Sequence, residues 1–327
     1  MHVPSGLLFR AFDADRGLER AIHRGARRFA TAWIRGLGDV AFIVAEFVRY
    51  VGARVPGADV TVLVRPGLKD AARWIEGVHR VVVVEEWTRP QTLSSWWGLA
   101  FPPPWEIRRA LARRGLAAEI DAVLPYPLGR WYDRDPHLRR PRLRWTDAER
   151  RFGQEFIDRA FADPARFVVA LNTHIGTSSY YDFDKEWGTA RFAALIARLL
   201  ETLPDSRLVL VDGSRNEGLP RDGRIMDARG ALGVAESVSV IAAADLFIGL
   251  DAGPANLVYF LDGLALDLVV LLGRTSCFTP LRYPPASPGV RLWPLVGAGE
   301  DIQAITPEAV LAAVHAVYER RRDATRA

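Results

Sequence analysis

Residues 29–44 read Phe-Ala-Thr-Ala-Trp-Ile-Arg-Gly-Leu-Gly-Asp-Val-Ala-Phe-Ile-Val. An apolar run, a glycine turn and a second apolar run predict a strand over Phe29–Ile34, a tight turn at Gly36-Leu37-Gly38-Asp39 and a helix over Val40–Val55. Outward from this unit, Val60–Val64 reads as a second strand, Leu68–Ile75 as a helix and Arg80–Val84 as a third strand. A β-α-β-α-β run with short connections specifies a parallel sheet.

The alternation returns in the second half. Phe167–Leu171, Leu208–Val211, Ile225–Ala228, Leu246–Gly249 and Leu268–Leu272 read as strands, and Ala190–Leu203, Val234–Ala243, Pro254–Leu261 and Pro307–Arg322 as helices. Thr146, with Glu149 three residues on, predicts a capping box opening a helix to about Phe161. Trp87–Trp105, carrying Trp96, Trp97 and a triple proline, reads as a surface excursion, and the Pro- and Arg-rich stretch Arg130–Arg144 as a linker. The expectation is an α/β chain of three parts. These are an amphipathic N-terminal extension at 1–28 and Rossmann-like domains at 29–145 and 146–327, with parallel sheets facing across a ligand-binding cleft.

Composition narrows the function classes. The 327 residues, 49% hydrophobic and 25% charged, suit a folded chain with two cores. Acidic residues interrupt every apolar run before the roughly 18 residues a membrane helix needs. The Arg-rich start lacks a secretory pattern, so a cytoplasmic location is expected. Cys277, the single cysteine, reads as a small core hydrophobe. A net charge of +4 favours anionic ligands or an anionic membrane surface without the footprint of a nucleic-acid binder. Lys69 and Lys185 are the only lysines in an arginine-rich chain, which makes each informative.

Three stretches carry chemistry. Gly36-Leu37-Gly38-Asp39-Val40-Ala41 satisfies G-x-G-x-x-A, and Arg65 ends the second strand where a dinucleotide 2′-phosphate would lie, so an NADP-dependent oxidoreductase is one reading. Against it, the Asp39 carboxylate would stand where the pyrophosphate binds. Asp39 is better suited to taking a proton from a substrate hydroxyl, its bland alternative being a helix N-cap. Leu246–Asn256 runs from a strand through Asp251-Ala252-Gly253 into Pro254, bringing backbone N–H groups to a phosphate-sized turn. Asp184-Lys185-Glu186-Trp187 follows Thr177-Ser178-Ser179, and an ammonium beside hydroxyls suits a diphosphate, though a solvated loop charge is the alternative. Three D-x-D matches, one of them Asp182-Phe183-Asp184, are at chance level, and no metal or cofactor is expected.

The ordered set resembles glycosyltransferase family 9, the ADP-heptose:lipopolysaccharide heptosyltransferases. It comprises Ile34–Val40, Ala58–Val64, Asp184–Trp187, Val211-Asp212-Gly213 with Glu217, and Ala244–Pro254. The resemblance implies a GT-B fold with the acceptor on the first domain, the sugar nucleotide on the second, and a last helix that often returns to the first. It assigns Asp39 as catalytic base, Lys185 to the donor phosphate, Glu217 to the ribose, and Asp251 with Gly253 to the donor loop. Thr177, Ser178, Ala252 and Asn256 join the donor side, and Gly38, Trp96 and Trp97 the acceptor side. The implied reaction is inverting, metal-independent transfer of a heptose or related sugar from ADP-heptose or another nucleotide sugar. The acceptor would be a saccharide, lipid-linked or small-molecule hydroxyl, such as lipopolysaccharide core or a natural product, with peripheral membrane contact. Three stretches depart from the family, one of them the turn before Gly38-Asp39, which looks about two residues short. Asp251-Ala252-Gly253-Pro254-Ala255-Asn256 stands for Asp-Ser/Thr-Gly-x-x-His, and Gly188 stands where the family usually has proline. A non-catalytic sugar-nucleotide binder therefore remains a competing reading.

Overall fold

The computed structural model describes residues 14–87, 102–124, 141–163, 167–175, 185–215, 217–273 and 283–326. The chain divides into two compact units, Met1–Arg144 and Trp145–Ala327.

The first unit contains α1 (Ala14–His23), β1 (Arg28–Trp33), α2 (Ala45–Arg54), β2 (Asp59–Val64), α3 (Lys69–Arg73), β3 (Val78–Val83), α4 (Pro104–Arg113) and β4 (Ala122–Val123). Its sheet is parallel throughout, in the order β3-β2-β1-β4. Strands β1 and β2 are buried over nearly their whole length, which explains why they read as continuous apolar runs rather than alternating ones. Leu18 and Ala21 of α1 are fully buried, so the described part of the N-terminal extension is built into this unit.

Two stretches differ from their sequence readings. Trp87 is a core residue whose indole N–H donates to Glu106, not part of an excursion. Leu143 is fully buried and bridges Ile75, while Arg144 N–H donates to the Trp74 carbonyl at 2.7 Å. The end of the supposed linker is thus packed against the segment between α3 and β3, because a leucine among prolines and arginines gains more by burial than by solvation. Trp96 and Trp97 lie outside the described residues, as do Cys277, Thr177 and Ser178.

The second unit runs α5 (Asp147–Ala160), β5 (Phe167–Leu171), α6 (Thr189–Thr202), β6 (Ser206–Leu210), β7 (Ile225–Asp227), α7 (Val234–Ala242), β8 (Leu246–Leu250), α8 (Gly253–Tyr259), β9 (Asp267–Leu272), β10 (Arg291–Val296) and α9 (Pro307–Arg326). The six strands are parallel in the order β10-β9-β8-β5-β6-β7, the doubly wound arrangement with its switch point between β5 and β8. The capping box at Thr146 forms as expected. Gly153 lets α5 approach α7, since a Cβ there would come 2.0 Å from the Ser239 carbonyl oxygen.

Strand β10 was not legible in the sequence. Pro294 interrupts it and its outer face alternates between exposed and half-buried, both features of an edge strand that pairs only with β9. Helix α9 packs on this unit through Val310, Val314 and Val317, and Tyr318 donates to Asp205 at 2.8 Å. Arg320 and Arg321 both engage the buried Asp267, and Arg321 also reaches Asp245 at 2.9 Å.

Candidate active site

In the first unit the critical turn follows β1. Gly36 is the N-cap of a helical turn at Leu37–Asp39, so Asp39 is the third helical residue rather than the cap. A carboxylate there lies in the favourable field of the helix N-terminus. Its side chain folds back over Gly36, where a Cβ would meet Oδ2 at 2.8 Å. Val40–Val44 continues as a π-helical stretch before α2, a local widening common beside functional residues. Gly38 sits half-buried in the same turn.

Arg65, at the end of β2, fastens this turn. Its guanidinium donates to the Ile34 carbonyl at 3.0 Å and the Arg35 carbonyl at 3.2 Å. The side chain that suggested a 2′-phosphate contact is therefore employed within its own unit. Trp33 adds an indole N–H to the Gly36 carbonyl at 3.1 Å.

In the second unit, three groups meet the carboxyl edge of the sheet beside the switch point. Lys185 Nζ lies 2.7 Å from Asp251 Oδ2, and the Asp251 side chain is almost wholly buried. Ala252 precedes α8, Gly253 begins it and Pro254 follows. Asn256 turns its amide N–H inward, to the Ala252 carbonyl at 3.0 Å, and its buried Oδ1 has no hydrogen-bond partner among the described residues. Glu217 is exposed, on the loop after β6.

Asp212 is the organising residue that the sequence reading noted only as part of a motif. It is buried past the end of β6, and its carboxylate accepts from Asn172 Nδ2 at 2.6 Å, Thr173 N at 2.7 Å, Thr173 Oγ1 at 2.5 Å and His174 N at 3.1 Å. Burial pushes its carboxyl above the usual range, and these four hydrogen bonds pull the other way. Its own carbonyl accepts from Gly230 N–H, which ties the turn after β7 to the end of β6. Gly188, which caps α6, has φ +96°. Proline, fixed near −65°, could not occupy that backbone, so the departure at this position alters the course of the loop itself.

No protein-family model matches the chain, and no curated protein does. Solved structures do. E. coli ADP-heptose LPS heptosyltransferase II is similar over 90% of this chain and 99% of its own, with 16% identity and a TM-score of 0.59. The family 9 glycosyl transferase from Veillonella parvula DSM 2008 covers 89% and 97%, with 14% identity and a TM-score of 0.61. The chain has the fold of the family 9 glycosyltransferases. E. coli heptosyltransferase WaaC with ADP follows, at 16% identity and a TM-score of 0.52. At this identity the likeness carries the two-sheet GT-B architecture, and the chemistry must be argued from the residues. Among the described residues no cluster of three or more His, Cys, Asp or Glu could hold a metal ion, and no helix is long and apolar enough to cross a membrane.

Proposed function

We propose that the chain is an inverting, metal-independent glycosyltransferase that moves a heptose or related sugar from a nucleotide-diphosphate sugar, ADP-heptose first among them, to a hydroxyl acceptor. The observation that carries this reading is the Lys185–Asp251 pair at the carboxyl edge beside the switch point, one of two lysines in the chain held at 2.7 Å. Such an edge is where doubly wound sheets bind nucleotides. The neighbours' names support the donor: one is an ADP-heptose transferase and another was solved with ADP.

In this reading Asp39 takes the proton of the acceptor hydroxyl as that oxygen attacks the anomeric carbon. The bond to the nucleotide breaks on the opposite face, and the configuration inverts. Lys185 and the backbone N–H groups around Gly253 stabilise the charge that grows on the departing diphosphate. Glu217 addresses the ribose, and Asp251 and Asn256 shape the donor loop. The acceptor is a saccharide, a lipid-linked core such as lipopolysaccharide or a small natural product, met in the cytoplasm or at the inner membrane face.

The test is thermal stabilisation by ADP, UDP, GDP, dTDP and NADP⁺, followed by transfer assays with EDTA present. A ligand at 100 times its Kd adds about 2.7 kcal/mol. Stabilisation by a nucleoside diphosphate with transfer that survives chelation supports the reading. Stabilisation by NADP⁺ alone, or transfer that EDTA stops and Mn²⁺ restores, overturns it. Tight nucleotide binding without transfer from any sugar nucleotide makes the chain a binder.

A further inference from the structure

His174 belongs to none of the groups assigned above, yet it is among the most firmly placed side chains at this edge. Its backbone N–H donates to Asp212 at 3.1 Å, and its carbonyl accepts from Asn172 Nδ2 at 3.2 Å. Its ring is fixed separately, with Nδ1 3.1 Å from Glu186 Oε1. That carboxylate is itself anchored, since the same oxygen accepts from Ile175 N–H at 2.7 Å. About a third of the imidazole remains exposed, and Nε2 has no partner among the described residues.

The position matters as much as the rigidity. Leu171 of β5 pairs with Ile248 of β8, so His174 and Asp251 each lie three residues beyond a paired position on neighbouring strands. Neighbouring strands run about 4.8 Å apart. Glu186 is adjacent in sequence to Lys185, which reaches Asp251. One short segment thus fastens an ammonium to the end of β8 and an imidazole to the end of β5.

The hydrogen bonding also fixes the ring's chemistry. An ionised carboxylate only accepts, so Nδ1 carries a proton and Nε2 is the atom left for a ligand. In the imidazolium, Nε2 donates, and a charge-assisted bond to a phosphate oxygen is about twice as strong as a neutral one. We propose that His174 is a further donor-binding residue, whose Nε2–H in the imidazolium form donates to a phosphate oxygen of the nucleoside diphosphate while Glu186 orients the ring. The proposal rests on the sugar-nucleotide reading above. Among the described residues, Glu186 meets the ring, Asp212 beyond β6 holds the backbone of the same loop, and Lys185 and Asp251 pair with each other at the end of β8.

The test is calorimetric titration of ADP and of adenosine into wild type, His174→Gln and Glu186→Gln. His174→Gln should weaken ADP roughly tenfold, with adenosine unchanged. Glu186→Gln, which keeps an acceptor for Ile175, should show part of the same loss and serves as the readout if His174→Gln does not fold. ADP affinity within twofold of wild type overturns the proposal. So does an equal loss for adenosine and ADP, which would make His174 a purely structural tie. Wild type that binds neither ADP nor another nucleoside diphosphate overturns the donor reading too, whereas wild type that binds ADP as tightly as His174→Gln removes only this residue.

Discussion

Lys185 and Asp251 form an ion pair in which the carboxylate is nearly buried, 6% exposed, and the ammonium is 22% exposed. The two residues are 66 positions apart, so the contact pins the loop after β5 to the end of β8. Removing the lysine strands a buried carboxylate as well as a phosphate contact. Lys185→Ala should therefore lower unfolding stability by about 2 kcal/mol, below the value for a fully buried pair because the lysine is partly solvated. Donor affinity and turnover should fall at least tenfold with it. Asp251→Asn separates the effects: stability falls, while ADP binding is kept or tightened because a competing anion is gone. Chemical denaturation and calorimetry on both variants check this, and equal ADP affinity in Lys185→Ala and wild type would remove the lysine from the donor site.

Gly36 and Asp39 allow a test of position without a change of chemistry. Gly36 has φ −61° and ψ 143°, values open to any residue, so Gly36→Ala carries no backbone penalty. Its Cβ would come 2.8 Å from Asp39 Oδ2, and the carboxylate must move. Turnover should drop while the melting temperature stays close to wild type. Asp39→Asn, which keeps the shape and cannot take a proton, should lower the transfer rate by roughly 10²–10⁴ with nucleotide binding intact. Wild-type turnover in either variant would count against Asp39 as the base.

Much of this was legible because burial on both faces writes parallel strands as plain apolar runs, and glycine turns mark where they end. The Thr146 capping box and the strands at Phe167–Leu171 and Leu246–Leu250 are of that kind. Strand β10 was hidden because an edge strand tolerates Pro294 and shows only weak alternation. Trp87 and Leu143 were misread because composition reports the neighbourhood of a residue, not its partners. The role of Asp212 was invisible for the same reason: its four hydrogen bonds span 38 to 40 positions to the loop after β5. Asp39 and Lys185 could be singled out by type and place, whereas the His174–Glu186 contact needed the fold.

Asp212 gives a pH-dependent prediction. Burial raises its carboxyl above the ordinary value of 3.8, so the folded state holds that proton more tightly than the unfolded state. The stability it contributes is fully present below the unfolded value and is lost as pH rises through the raised one. Asp212→Asn removes this dependence, because Oδ1 can still accept from Asn172, Thr173 and His174 while the new amide donates to the Thr173 hydroxyl. Urea unfolding between about pH 4 and pH 8 should show the stability of wild type relative to Asp212→Asn declining with pH. The Asn variant should lie within about 1 kcal/mol of wild type near neutrality, whereas Asp212→Ala, leaving four donors unpaired, should cost at least ~3 kcal/mol. A flat difference between wild type and the Asn variant would refute the burial argument.

Asn256 yields the test that discriminates sugar from phosphate. One N–H of its side-chain amide donates to the Ala252 carbonyl, and its Oδ1 is an acceptor with no hydrogen-bond partner among the described residues. Phosphate oxygens do not donate at neutral pH, but sugar hydroxyls do. If that carbonyl addresses the donor sugar, Asn256→Ala should leave ADP affinity unchanged and weaken the intact sugar nucleotide by roughly three- to tenfold, the loss of one hydrogen bond. Folding stability should move little, since the Asn256 backbone N–H already satisfies the Ala252 carbonyl at 3.2 Å and an unpaired buried oxygen is removed. Asn256→His asks the complementary question, by restoring the side chain that the resembled family carries there. With ADP-heptose as the true donor it should be neutral or modestly activating. With a loop reshaped for another sugar, it should reduce activity with that donor and create none with ADP-heptose. Titrating ADP and ADP-heptose into wild type and both variants, with turnover measured alongside, decides between these outcomes. An equal loss of ADP and ADP-heptose affinity in Asn256→Ala would show that Oδ1 supports the loop and does not read the sugar.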